Sequence, residues 1–137
     1  MPILKKNEVN KRLVILLILG CIALESQARC RIKAQVRYRQ QYGWSKVYTV
    51  DVTLISGREL NEATQSNNYS SNSNYATVFW AKGEATVIKL DTRLYCTYEV
   101  TCDCIYNWVY GDFKGKDQDQ DYWEICLIRP NYLPNCF

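Results

Sequence analysis

The sequence predicts a mainly β domain: a small antiparallel sandwich or barrel-like sheet of about six strands with one short helix, stabilised by disulfides. Three observations lead there. Apolar and polar residues alternate with period two in several segments, as in strands with one dry and one wet face. Six cysteines, Cys30, Cys96, Cys102, Cys104, Cys126 and Cys136, follow a seventh, Cys21, that lies in an N-terminal apolar run. Aromatic and β-branched side chains, which fit pleated surfaces, recur along the chain.

The N-terminus reads as an export signal. Lys5, Lys6, Lys11 and Arg12 form a basic head, and the apolar run 13–24 is too short for a lasting membrane anchor. Ser26 and Ala28 supply the small residues expected before a cleavage site. Residues 1–28 are therefore expected to be a signal peptide and 29–137 a single secreted β-rich domain, extracellular or periplasmic, with no transmembrane segment after cleavage. An uncleaved anchor and lipidation at Cys21 are the alternatives, because Ile18, Leu19, Gly20 and Cys21 resemble a lipobox. Ile22, Ala23 and Leu24 continue the apolar run past that cysteine and favour cleavage downstream.

A domain of 109 residues buries a modest core, so cross-links matter to its stability. Six cysteines in an oxidising compartment read as up to three bridges. Paired C-x₂-C knuckles and histidine are both missing from the sequence, which argues against structural zinc.

The elements follow in order. Over 30–42 the even positions, from Cys30 and Ile32 through Tyr42, are mostly apolar and the odd ones, with Arg31, Lys33, Arg37 and Arg39, are polar. Residues 47–55 alternate likewise, so a hairpin is expected around Gly43, Trp44 and Ser45. A three-residue loop pairs Arg37 with Asp51 and Val36 with Val52. Ser56 and Glu59 fit a capping box opening a helix over 57–64. The polar stretch 65–74 is expected to be the most mobile loop, and Asn68, Tyr69 and Ser70 form a glycosylation sequon if the source is eukaryotic. Residues 75–81 and 84–90 flank Lys82 and Gly83 as a tight hairpin, Val78 opposite Val87 and Trp80 opposite Ala85; apolar residues on both faces suggest a central place in the sheet.

An unbroken strand over 93–104 aligns Cys96, Cys102 and Cys104 on one face. Their spacing then directs each to Cys30, Cys126 or Cys136, which leaves six connectivities. Residues 107–110 and 122–128 read as strands separated by a turn over 111–121.

Function is more sparsely written. Without histidine, Ser-His-Asp and Cys-His hydrolysis and histidine acid-base pairs are excluded within one chain. Charge is uneven: 29–46 holds six basic residues and no acid, whereas 99–124 is acidic. Three features could bind. Arg31, Lys33, Arg37 and Arg39 recur about 6.6 Å apart along one face, a spacing suited to a polyanion, although a solvated strand face is the commoner use. Asp117, Asp119 and Asp121, with Asp112 nearby, resemble the start of a calcium loop, but Tyr122 stands where an EF-hand has glycine, so only an irregular calcium site or an ordinary turn remains. Trp44, Tyr69 and Tyr75 are the aromatics expected at a ligand surface, whereas Trp80 and Tyr98 are expected in the core.

The expected function is a secreted, disulfide-bonded binding module whose partner is an extracellular glycan, polyanion or protein. The alternatives are a small glycan hydrolase using two of Glu84, Glu99, Asp103 and Glu124, or a secreted toxin or inhibitor.

Overall fold

The computed structural model describes residues 30–80, 83–92, 94, 100–102, 104, 112–128 and 137. The expected signal peptide, Cys21, Cys96, Cys136 and the expected strand at 107–110 lie outside them. Among the described residues there are seven strands: β1 (Cys30–Gln40), β2 (Gly43–Trp44), β3 (Tyr48–Ser56), β4 (Asn74–Trp80), β5 (Glu84–Leu90), β6 (Asp112–Asp117) and β7 (Tyr122–Leu127). A helix, α1 (Gly57–Thr64), follows β3. All pairings are antiparallel, and β1 pairs with both β3 and β7, so six strands close into a barrel with β2 as an added piece beyond the end of β3. Of the two expected architectures, the structure is the barrel.

Alternation decides what the barrel encloses. Cys30, Ile32, Ala34 and Val36 of β1 point inward with Val52 and Leu54 of β3, Ala76 and Val78 of β4, Ile88 of β5, Phe113 of β6 and Trp123 and Ile125 of β7. Burying each large side chain here contributes about 1.5–3 kcal/mol. A second, outer cluster explains why β4 is apolar on both faces. Leu60 of α1 packs with Ile55, Tyr75 and Val87 on the outside of the wall, joined by Ala63, Tyr69 and Phe79.

The helix forms where the capping residues place it. The Ser56 hydroxyl accepts from the Glu59 backbone N–H at 3.1 Å and donates to the Glu59 carboxylate at 2.9 Å. That buried carboxylate also accepts the Val100 N–H at 3.2 Å, fastening a distant segment to the helix start. Gln65 ends the helix in the left-handed region, φ 51° and ψ 47°. The polar stretch beyond it is tethered. Asn61 donates to the Tyr69 carbonyl and accepts from its N–H, at 2.8 and 2.9 Å, and the Tyr75 hydroxyl accepts the Ser70 N–H at 2.9 Å. Gly57 lets this loop lie against the helix, since a Cβ there would collide with the Ser70 carbonyl.

Four local expectations need correction. In the first hairpin Lys33, not Arg37, faces Asp51, and Val36 faces Tyr48. The chain turns after Gln40, pairs Gly43 and Trp44 back on β1, then leaves the ladder for residues 45–47 before β3 begins, which lengthens the connection. In the second hairpin Trp80 faces Glu84 and Val78 faces Thr86, because three residues connect the strands and not two. No strand is present at the described positions of 93–104, and Cys102 and Cys104 have helical backbone. The supposed turn at 111–121 contains β6, which was hidden because two of its inward positions are Gly115 and Asp117.

The Cys30–Cys102 disulfide joins positions 72 apart in sequence, Cα to Cα 4.4 Å, and is one of the expected pairs even though Cys102 is not on a strand. Cys104 and Cys126 are also disulfide-bonded.

Gly115 is a close-packing position. A Cβ there would run into the Lys89 carbonyl and the Ile88 side chain, so β5 and β6 can approach only with glycine at this place. Gly115→Ala is expected to destabilise the fold by about 1–3 kcal/mol, read as a lowered urea midpoint with an unchanged slope.

Candidate functional site

An open groove of about 680 Å³ lies on the outer wall of the barrel. The α1–β4 loop forms one side through Asn68 and Tyr69. The outward face of β4 and β5 supplies Tyr75 and Lys89, and β6 with the turn before β7 supplies Lys116 and Gln118. Two of the three aromatics expected at a ligand surface are thus brought together: the Tyr69 and Tyr75 rings meet edge to face, centroids 5.3 Å apart. Burial raises the pKa of the Tyr69 hydroxyl, with Tyr75 adding to the effect, so it remains a hydrogen-bond donor at neutral pH.

Polar groups converge on the same place. Gln118 accepts the Val87 N–H through Oε1 at 3.1 Å, while its Nε2 is buried without a partner. Lys89 and Lys116 are exposed and directly opposite each other across β5 and β6. Among the described residues neither is ion-paired with a carboxylate. Sequence reasoning missed both lysines and Gln118, because only the register of β5 against β6 makes them neighbours.

The acidic turn at the groove end is a hydrogen-bonded knot. Asp117 is 5% exposed, its Oδ1 accepts the N–H groups of Asp119 and Asp121 at 2.8 and 3.0 Å, and its Oδ2 accepts the Trp123 indole N–H at 2.8 Å. Oxygens of Asp117, Asp119 and Asp121 lie within 4.8 Å of one another. Asp112 sits at the opposite end of β6 and does not join them. With three N–H donors already on Asp117, the geometry is that of a turn organiser.

The basic strand face is largely matched by acids. Arg31 and Lys33 share Asp51, at 3.4 and 3.8 Å, and all three are well exposed. Arg37 makes a part-buried pair with Glu124 at 2.7 Å and lies between the rings of Trp44 and Phe137, 4.4 and 4.3 Å from their centroids. Arg39 lies over Trp44 as well, at 5.3 Å. Trp44, the third expected contact, is thus a half-buried platform for two guanidinium groups, away from the groove.

Of the four carboxylates considered for hydrolysis, Glu99 and Asp103 lie outside the described residues. Glu84 occupies an inward register position on β5, whereas Glu124 points outward from β7 to Arg37, so the barrel wall separates them. A glycosidase requires both acids on one cleft.

Arg37→Ala leaves Glu124 part-buried and unpaired and is expected to cost about 1–3 kcal/mol, whereas Arg31→Ala should stay within about 0.5 kcal/mol; denaturant midpoints of the two variants compare them directly. Asp117 gives a pH signature. Loss of hydration on burial raises its pKa despite its N–H donors, so the folded state holds the proton more tightly than the unfolded chain does. Its contribution to stability is therefore full below the unfolded value of about 3.9 and is lost as pH rises through the raised folded value. The stability of wild type relative to Asp117→Asn should fall as pH rises above about 4, and a difference that instead grows in favour of wild type contradicts the assignment.

The chain matches no protein-family model, no curated protein and no solved structure, so its function has to be argued from the groove.

Proposed function

We propose that the protein is a secreted, disulfide-bonded binding module that recognises a glycan in the groove beside Tyr69 and Tyr75. The observation that supports this reading best is the company the tyrosine pair keeps. The Tyr69 ring, backed edge to face by the buried Tyr75, shares an open groove with Gln118 and with the exposed Asn68. Aromatic faces pack against the C–H surface of a pyranose, while amides and phenols satisfy its hydroxyls. The loop bearing Tyr69 is held by Asn61, so the ring is preorganised and loses little freedom on binding. A polyanion on the face of Arg31, Lys33, Arg37 and Arg39 is the weaker reading, since three of the four already contact carboxylates.

Oligosaccharide binding followed by calorimetry tests the proposal. Tyr69→Ala should weaken binding at least tenfold, equivalent to about 1.4 kcal/mol, and Tyr69→Phe should weaken it less because the ring is kept. Affinity untouched by Tyr69→Ala would place the ligand elsewhere.

A further inference from the structure

Outward-facing residues fall in register across four strands and form one row. Tyr75 of β4 faces Lys89 of β5, Lys89 faces Lys116 of β6, and Lys116 faces Tyr122 of β7. The row therefore reads tyrosine, lysine, lysine, tyrosine across the sheet, and at about 4.8 Å between strands it covers about 14 Å. The groove takes in its first three positions. At the far end Tyr122 meets Trp44, ring centroids 6.1 Å apart, where Arg39 also lies.

Like charges directly opposite each other on an antiparallel pair destabilise the sheet. Lys89 and Lys116 occupy such positions, exposed and without a carboxylate partner among the described residues. The two acids lining the groove do not cancel them. Asp117 is buried with its oxygens engaged by N–H donors, and Asp91, on the rim, forms no ion pair with either lysine.

We infer that this row is a track for an acidic oligosaccharide, with a carboxylate or sulfate held between Lys89 and Lys116 and flanking sugar rings against Tyr69, which packs on the buried Tyr75 ring, at one end and Tyr122 at the other. The inference rests on the glycan reading above and adds the charge and minimum length of the ligand. A spacing of one side chain per strand is close to the repeat of an extended pyranose chain, so a ligand lying across the strands meets one side chain of the row per sugar. A disaccharide would cover the two lysines and reach neither aromatic end. Both ends are engaged from about four units.

The test uses the whole mature chain and four probes: tetragalacturonate, its methyl ester, digalacturonate and a heparin tetrasaccharide. At least one acidic tetrasaccharide should bind tenfold or more tighter than the neutral ester. The double variant Lys89→Gln with Lys116→Gln should abolish that preference. Both positions are exposed and the change removes a repulsion, so folding is retained. Tyr122→Ala should weaken the tetrasaccharide and spare digalacturonate. Acid binding that survives the double variant overturns the inference. Equal binding of acid and ester that still falls with Tyr69→Ala overturns the charge assignment and leaves the glycan reading standing. Failure of every probe to bind overturns both.

Discussion

Closure of the barrel between β1 and β7 is the constraint on which the other features depend. The two strands come from opposite ends of the described domain, and Arg37 and Glu124, which face each other across their ladder, are 87 residues apart. Bringing such distant segments together has a loop-closure cost that only contacts on the finished ladder can offset. Contacts are present on both faces. Inside, the Tyr38 and Trp123 rings lie 5.0 Å apart; outside, Arg37 pairs with Glu124 beneath two aromatic rings. The Cys30–Cys102 bond holds the start of β1 independently. Closure also removes the exposed strand edges that a flat sheet of this size would offer for association.

A six-stranded barrel leaves a narrow interior, and that limits what its lining can be. Trp123 and Phe113 fill much of it, while Ala34, Ala76 and Gly115 stand at other inward positions where larger side chains would not fit. The interior is therefore core, and a ligand must be met on the outer wall or at its loops. α1 covers part of that wall over β3 and β4. The groove begins where this cover stops, at Tyr69 and Tyr75.

Much of this was legible in the sequence wherever one short-range rule governed the outcome. Alternation over 30–40 gave the inward face of β1, and the Ser56 and Glu59 pair marked both the start and the nature of α1. Tyr69 could be picked out because it lies within a polar stretch, and Tyr75 because it follows that stretch directly. What was not legible depended on distances along other strands. β6 offers only Phe113 as an apolar inward residue, because its next position must be glycine for β5 to approach and its last is the carboxylate that organises the following turn. Hidden in that way, it reads as loop in the sequence, and Lys116 with it. The hairpin registers shifted because connection length, which alternation does not report, fixes which residues face each other. A tyrosine and two lysines from separate strands become neighbours only after two registers are known.

Departures from local rules occur elsewhere, at Gln65 with its positive φ and at the unpartnered buried Oε2 of Glu84, but several fall together at the groove. Two lysines face each other across β5 and β6, and the Nε2 of Gln118 is buried without a partner. Next to them a carboxylate is buried at a raised pKa, and Gln120 takes a positive φ of 68°. All four lie at one groove. Each is a cost the fold could avoid: a glutamate at either lysine would turn repulsion into attraction, and a smaller residue at position 118 would bury no amide. Stability alone gives no reason for such costs to gather at one site, whereas a binding surface does, because groups left unsatisfied by the protein are those a ligand can satisfy. The common location of these costs, more than any single residue, is why the groove and not the better neutralised basic strand face is the place to look for a ligand.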